Sequence, residues 1–318
     1  MTRDELVDWA GVSIARGSKS FHMASRLFDR TTRERAWLLY AWCRACDDIA
    51  DAQDMGGTLG DRGDATAAQA RIEALTARAL AGEETGEPAF DGLGALSREV
   101  ALPRRYIDDH LAGFALDAAD WRPRSEADMI RYCYHVAGAV GGLMAAVMGV
   151  DPDDGNTLER ATELGLAFQL NNIARDLLED AAADRCYLPV EWLVEMDMPP
   201  GELAKPFVRP RLAALAKRLN ALAEGYTASA KQGAARLPFR ARWAVLAAAG
   251  IYGGIGREVV RRGPRAWDRR VTVSRWRKLG LVWSAWGEAR AMSGGVRPWA
   301  AAARRARRVL ARRRASGA

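Results

Sequence analysis

No stretch of this 318-residue sequence alternates apolar with polar residues over the length of a β-strand. Alanine, leucine and arginine dominate and β-branched residues are sparse, which favours helices. With 49% hydrophobic residues, the chain is long enough to bury one large core. The sequence therefore predicts an all-α protein with one helical domain over residues 1–290. We expect the basic tail over residues 291–318 to be disordered or to lie on a membrane surface.

The positive charge of the chain is concentrated at its C-terminal end. The net charge is +7, but nine arginines and no acidic residue follow Glu288. Such a tail can contact anionic lipid headgroups, where each basic residue contributes roughly 1 kcal/mol, or it can stay solvated. We predict peripheral membrane contact through the arginines together with Trp283, Trp286 and Trp299. The tail contains no recognisable base-reading motif, so we expect no nucleic-acid partner.

Cysteine usage and hydropathy indicate the cell compartment. Four cysteines in a chain of this length make no disulfide framework, and no signal peptide is visible, so we expect a cytoplasmic protein. Cys43 and Cys46 form a C-x-x-C pair without a second pair, and we interpret both as small buried side chains rather than metal ligands. The apolar run over residues 136–150 is shorter than the roughly 20 residues that cross a bilayer, which predicts a buried helix.

Caps and helix breakers predict where the helices lie. The predicted helices cover residues 4–16, Thr31 or Thr32 to Asp51, residues 65–81, residues 103–117, a segment capped by Ser125, Asn156 or Thr157 to residues 179–183, and residues 209–235 and 237–262. A loop rich in glycine and aspartate is expected over residues 54–64.

A first acidic row lies in the segment CDDIAD. Asp47 and Asp51 are four residues apart, so their carboxylates share one helix face with Tyr40 and Arg44. Two like charges at this spacing destabilise an isolated helix by a few tenths of a kcal/mol, roughly. A compensating positive charge is therefore expected next to them.

A second acidic row lies in the segment QLNNIARDLLED. Asn172, Asp176 and Asp180 follow at intervals of four residues, with Gln169 on the same face. Each row follows apolar helix, so we expect both to face inward, where unpaired carboxylates are very costly. A single row of this kind is as well explained by a solvated helix end. Two rows with adjacent arginines instead indicate a diphosphate site with Mg²⁺ or Mn²⁺, which prefer oxygen ligands.

Small residues follow an aromatic ring on the segment after Ser125. Tyr134, Gly138, Gly141 and Ala145 share a narrow arc of an α-helix, so this face presents almost no side chain. Such a face can line a channel for a long apolar ligand, or it can allow close packing of two helices. Both interpretations remain open from the segment alone.

Two further groups of polar residues suit a phosphate ligand. Ser18, Lys19 and Ser20 precede Phe21 in a predicted loop and can donate hydrogen bonds to phosphate oxygens. Late in the chain, four residues are candidates to close the site. They are Tyr252, Arg257, Arg261 and Arg270. A polar loop and a solvated basic helix face are the alternative interpretations.

These motifs resemble those of the squalene and phytoene synthases, most of all the bacterial phytoene synthases. The matching segments are SKSF at 18–21, YAWCRACDDIAD at 40–51, YCYHVAGAVG at 132–141 and FQLNNIARDLLEDAAADRCYLP at 168–189. Their order and spacing span most of the chain. The resemblance implies the isoprenoid-synthase fold, a single helical domain with a central cavity.

The resemblance also implies roles for individual residues. The implied metal ligands are Asp47, Asp51, Asn172, Asp176 and Asp180. The implied diphosphate contacts are Ser18, Ser20, Arg44, Arg175, Tyr187, Tyr252 and Arg270. The implied further catalytic residues, at the reacting end of the cavity, are Tyr40, Tyr134 and Gln169. The implied walls of the prenyl cavity are Phe21, Val136, Ala137, Gly138, Gly141 and Ala145.

The implied activity is head-to-head condensation of two geranylgeranyl diphosphates, through a cyclopropyl diphosphate, to phytoene in carotenoid biosynthesis. Mg²⁺ is the expected cofactor. No NADPH is expected, because no G-x-G-x-x-G lies between a strand and a helix. The alternatives are condensation of two farnesyl diphosphates, as in dehydrosqualene and squalene synthases, and a non-catalytic relative acting as an assembly factor. The sequence indicates no oligomeric state.

Overall fold

The computed structural model describes residues 1–52, 64–199 and 201–292. The helices in chain order are α1 (Arg3–Gly17), α2 (Lys19–Ser25), α3 (Arg30–Asp51), α4 (Ala65–Ala81), α5 (Pro88–Glu99), α6 (Arg104–Ala118), α7 (Glu126–Cys133), α8 (Ala139–Val147), α9 (Gly155–Ala182), α10 (Val190–Glu195), α11 (Arg209–Ala234), α12 (Phe239–Arg262) and α13 (Arg275–Ala291). These ranges contain no β-strand, so the predicted all-α class is confirmed. The predicted loop before Asp64, the tail from residue 293 and Trp299 lie outside the described residues.

The predicted starts of α3 and α9 are wrong by one to three residues. Asp29 caps α3 by accepting a hydrogen bond from the backbone N–H of Thr32 at 3.0 Å. Asp154 caps α9 in the same way, with the N–H of Thr157 at 3.1 Å. The two threonines are therefore donors in the first turn. Both aspartates satisfy an N–H that would otherwise lack a partner, which is why each helix begins earlier.

Four helices were not predicted, namely α2, α5, α10 and α13. The residue before α5, Glu87, makes no side-chain cap, and Gly92 and Gly94 interrupt the helical pattern. Gly94 is needed for packing, because a Cβ there would lie 2.8 Å from the carbonyl oxygen of Ala79 in α4. Helix α13 was not predicted because several of its large apolar side chains are exposed. Its pattern is therefore not that of a buried amphipathic helix.

The apolar segment that follows Ser125 forms three pieces. Helix α7 leads into a π-helical turn over Tyr134–Gly138, and α8 follows directly. Single π-helical turns are often found at functional sites. The expectation of a buried helix holds for most of α8, and none of the helices in the described ranges combines the length and hydropathy needed to cross a bilayer.

The core consists of two large apolar clusters and a small third one, which joins α11, α12 and α13. The first includes Trp42 of α3, Phe90 of α5 and Leu143 of α8. The second is formed mainly by α9, α11 and α12, with Leu170 and Leu215 near its centre. Helix α9 crosses α8 and the preceding π-helical turn closely, because Gly141 of α8 faces the backbone of Ala161 and Gly165 of α9 faces the backbone of Ala137. This arrangement leaves room for a cavity between the two halves.

Candidate active site

A cavity of about 300 Å³ lies between the two core clusters. Its walls are mostly apolar and come from α2, α3, α8, α9, α11, α12 and the π-helical turn. Ten of the residues predicted for the site line it. They are Phe21, Tyr40, Asp47, Val136, Ala137, Gly141, Ala145, Gln169, Asn172 and Tyr252. One cavity therefore joins a polar end to a long apolar interior.

Helix α9 forms one complete wall of this cavity. The residues of α9 that line it, from the polar end inward, are Asn172, Gln169, Phe168, Gly165, Leu164, Ala161, Arg160 and Thr157. A helix rises by 1.5 Å per residue, so the lined part of α9 is about 22 Å long. Such a wall accommodates an extended apolar chain.

Two residues predicted to face the cavity do not line it. A Cβ at Gly138 would lie 3.0 Å from the ring of Tyr134 and 3.5 Å from the carbonyl oxygen of Thr162, so this glycine packs against α9. The hydroxyl of Tyr134 donates a hydrogen bond to Asp109 at 2.6 Å. The predicted arc assumed a regular α-helix, whereas the π-helical turn changes the rotation per residue at this position.

The first acidic row is incompletely neutralised. Arg44 forms ion pairs with Asp47 at 3.2 Å and with Asp48 at 3.1 Å. Burial nevertheless raises the pKa of Asp47 to about 7, and the charges of Asp51 and Asp117 add to this effect. The side chain of Asp47 is 43% exposed, but the space it faces is the cavity. An added cation at this end would stabilise the ionised carboxylate.

Asp51 has a partner that sequence reasoning missed. The guanidinium of Arg185, which follows α9, donates two hydrogen bonds to the Asp51 carboxylate, one of them at 3.4 Å. Both side chains are about four-fifths buried, so this pair links α3 to the end of α9. The only sequence signal was the place of Arg185 in the motif DRCYLP, directly after the second acidic row.

In the second acidic row, Asp176 is paired with arginines and Asp180 has a raised pKa. Asp176 is paired with Arg175 through a hydrogen bond of 2.7 Å and with Arg270 at 3.2 Å. Burial raises the pKa of Asp180 to about 7, with repulsion from Asp176 adding to the shift. The Oδ1 atom of Asn172 is buried and has no hydrogen-bond partner among the described residues. This atom is therefore available to a cation.

Asp117 is a further acid that sequence reasoning missed. It lies near the end of α6, and its charge raises the pKa values of both Asp47 and Asp180. The hydroxyl of Tyr132 donates to its carboxylate at 3.0 Å. Tyr187 stacks on Tyr132 with ring centroids 4.9 Å apart, so it lies beside Asp117 and not on the cavity wall. Nothing in its sequence context distinguishes Asp117 from a surface acid.

The segment SKSF begins a helix, so the predicted loop is wrong. The hydroxyl of Ser18 caps α2 by accepting a hydrogen bond from the N–H of Phe21 at 3.3 Å. Ser20 accepts a hydrogen bond from Nζ of Lys278 at 2.8 Å, which brings α13 to this edge. Tyr252 stacks on Phe168 at 4.2 Å and hydrogen-bonds Ser18.

Two of the predicted basic residues do not reach the acidic rows. Arg257 forms an ion pair with Glu224 at 2.6 Å, and Arg261 pairs with Glu258. The first pair links α12 to α11, and the second lies within α12. Of the late arginines, Arg270 reaches the site, through Asp176.

The oxygen ligands of the site suit a hard divalent cation. Within the described ranges, no group of three or more His, Cys, Asp or Glu side chains is already gathered into a metal site. The physical reason is that arginines pair with Asp51 and Asp176. The Oδ1 atom of Asn172 lacks a hydrogen-bond partner among the described residues, and the pKa values of Asp47 and Asp180 are raised by burial, so a cation at these groups would be stabilised. The residues therefore fit Mg²⁺ or Mn²⁺ in ligand type and charge.

A sequence model of the squalene/phytoene synthase family matches residues 14–277. The chain belongs to this family. Enzymes of the family use prenyl diphosphates and generally depend on a divalent metal. The predicted enzyme class, a prenyltransferase, is confirmed at this level.

Bacterial relatives are similar over nearly the whole chain. A phytoene synthase of Pseudescherichia vulneris is 44% identical over 91% of this chain and 93% of its own length. A 15-cis-phytoene synthase of Pantoea ananas is 43% identical over 91% of this chain and 94% of its own. A 15-cis-phytoene synthase of Enterobacter agglomerans is 45% identical over 86% of this chain and 92% of its own length.

Solved structures confirm the predicted isoprenoid-synthase fold. A ligand-bound dehydrosqualene synthase superposes with a TM-score of 0.81 and 25% identity, over 91% of this chain and 98% of that one. A squalene synthase from Alicyclobacillus acidocaldarius superposes with a TM-score of 0.70 and 22% identity, over 82% of this chain and 95% of that one. The second likeness shows the fold alone.

Proposed function

We propose that this chain is a phytoene synthase that joins two geranylgeranyl diphosphates head to head. The carrying observation is an apolar cavity whose polar end is lined by one member of each row, Asp47 of α3 and Asn172 of α9. Diphosphate leaves one substrate, the double bond of the second attacks the resulting allylic cation, and loss of a proton closes the ring of a cyclopropyl diphosphate. Loss of its diphosphate, rearrangement and loss of a proton give phytoene. The bacterial relatives at 43–45% identity that carry this name support the choice.

The polar end of the cavity is suited to receive the departing diphosphates. Arg44, Arg175 and Arg270 lie next to the carboxylates and supply fixed positive charge to phosphate oxygens. Ser18 and Ser20 lie at the α2 edge and add hydroxyl groups. Magnesium, bound when present by Asp47, Asp51, Asn172, Asp176 and Asp180, supplies Lewis-acid stabilisation of the leaving group, and Mn²⁺ is an alternative.

The remaining walls protect the reactive cation. Burial raises the pKa of Tyr40 to about 12, so its phenol stays neutral, and its ring packs edge-on against Phe21. Together with the stacked pair of Phe168 and Tyr252, these rings offer π faces to a carbocation. The apolar interior limits capture of the cation by water.

A second candidate is condensation of two farnesyl diphosphates, favoured by the likeness to dehydrosqualene synthase. Both candidates use the same polar end and differ in the length of the apolar chain. The wall of about 22 Å along α9 supports the longer substrate.

The aspartates provide the direct test of the site. We expect Asp47→Asn and Asp176→Asn to lower the rate of diphosphate release by roughly a hundredfold or more, since each removes a carboxylate that would hold the cation stabilising the departing diphosphate. The matched control is Asp108→Asn on α6, whose carboxylate is exposed and pairs only with Arg104 among the described residues. Circular dichroism checks that the helices persist. Retained Mg²⁺-dependent turnover in either site variant would refute the assignment.

For location we propose a cytoplasmic protein that associates peripherally with membranes. The substrate carries a long apolar chain, and phytoene is a hydrocarbon, so both partition into lipid. The exposed surfaces of the described residues identify where such contact can take place.

A further inference from the structure

Helix α13 presents an unpartnered apolar face. Trp276, Leu279 and Trp283 are 83%, 53% and 69% exposed. At 100° per residue they fall within an arc of about 60°. Gly280 and Gly287 border the same arc, and a Cβ at either glycine would meet nothing within 4 Å. No described part of the chain covers this face.

The opposite face of α13 is firmly packed, so the helix is held in place. Ala285 and Ala289 are buried against α12, and Leu281 lies over Gly250 and Gly254. Arg277 adds an ion pair with Glu258 of α12 at 3.4 Å. The exposed tryptophans are therefore displayed by a fixed helix, which is unusual for large apolar side chains without a partner.

Basic residues outnumber acidic ones on this helix. Helix α13 contains four basic residues and one acidic residue, Glu288, which pairs with Lys231. Arg275 and Arg290 are exposed, and Arg290 lies 4.8 Å from the ring centroid of Trp286. Tryptophans flanked by arginines are the composition that binds an anionic membrane interface, where rings enter the headgroup region and cations meet lipid phosphates.

The same helix adjoins α2, which contributes to the cavity wall. Lys278 of α13 donates its hydrogen bond to Ser20 of α2, and Phe21, the next residue, lines the cavity. A membrane on the exposed face of α13 would therefore lie near the α2 edge of the site. An apolar substrate or product would then travel a short distance between lipid and cavity.

We propose that the face formed by Trp276, Leu279 and Trp283 docks the enzyme on an anionic lipid bilayer. This proposal rests on the proposed function for its apolar substrate and product, but the docking itself does not require turnover. It differs from contact through the arginine tail, because the anchor is an ordered helix within residues 275–291.

Co-sedimentation of the full chain with vesicles tests the proposal. We expect binding to vesicles of phosphatidylglycerol and phosphatidylcholine, weaker binding to pure phosphatidylcholine, and a decline with added salt. The triple variant Trp276→Ser, Leu279→Ser, Trp283→Ser should lower the partition coefficient on the order of tenfold or more. The matched control is Val194→Ser with Phe207→Ser, which removes side chains 72% and 62% exposed elsewhere.

Turnover of substrate dispersed in detergent separates this proposal from the proposed function. The α13 variant should retain that activity and its helical content while losing vesicle binding. Unchanged vesicle binding in the α13 variant, or loss only on removal of residues 293–318, overturns the proposal. A concentration-dependent dimer of the full chain that the triple variant abolishes, without vesicle binding, would also overturn it, because the face would then serve a second copy.

Discussion

At the residue scale, the site contains acids in two electrostatic states. Asp51 and Asp176 form hydrogen-bonded ion pairs with arginines. Burial raises the pKa of Asp180 to about 7, and that of Asp47 to about 7 despite its ion pair with Arg44. The less compensated carboxylates are therefore those that a cation arriving with a diphosphate would stabilise most.

His110 offers a test of burial on the cavity wall. It lies between the rings of Trp42 and Phe114, its Nε2 has no partner among the described residues, and burial lowers its pKa from 6.5 to about 4. Because the unfolded chain binds the proton more readily, stability should fall as the pH drops from about 6.5 to 4. The loss should be on the order of 3 kcal/mol.

Thermal unfolding of the native chain and His110→Leu at several pH values measures this effect. The leucine variant should lose less stability than the native chain over that interval, since the titrating group is gone. Parallel loss in both proteins would show that His110 does not contribute.

At the element scale, the crossing of α8 and α9 depends on two glycines. A Cβ at Gly165 would clash with the carbonyl oxygen of Ala137 and lie 2.8 Å from Cα of Gly138. Gly141 meets the backbone of Ala161 in the same way. From the sequence, these small residues could either line a channel or allow close packing of two helices. They do both, since Gly141 also lines the cavity.

We expect Gly165→Ala to destabilise the protein by about 1–3 kcal/mol, because the helices must separate to admit a methyl group. The control is Gly225→Ala in α11, where a Cβ meets nothing within 4 Å and helix propensity should add about 0.5–1 kcal/mol. Denaturant unfolding of both variants provides the comparison. Equal stability changes of the same sign would contradict the proposed crossing.

The sequence predicted helices well where capping or helix-breaking residues determine the helix ends. Helices α4, α11 and α12 were predicted to within two residues, and α3 and α9 differ at their first turn because an earlier aspartate caps each. Helix α5 was missed because its glycines serve contacts with other helices. The π-helical turn has no local signature of this kind.

At the scale of the whole molecule, the acidic rows were visible from sequence because each has a helical spacing. Arg185, Asp117 and Lys278 were not recognised, because each reaches the site from a segment distant from its partner along the chain. Tyr134 and Gly138 were placed wrongly because the π-helical turn alters their direction. Periodicity predicts the face of one helix, and tertiary packing decides which faces meet.

The global architecture places a long apolar interior behind one polar end. The helical scaffold and the family are those of the squalene/phytoene synthases, and the length of α9 along the cavity supports a twenty-carbon chain.

The most direct test is product identification by mass spectrometry after incubation of the purified chain and Mg²⁺ with either farnesyl or geranylgeranyl diphosphate, with and without NADPH. We expect phytoene from geranylgeranyl diphosphate, at a rate that NADPH does not change. Efficient formation of squalene or dehydrosqualene from farnesyl diphosphate, with no phytoene from the longer substrate, would contradict the assignment.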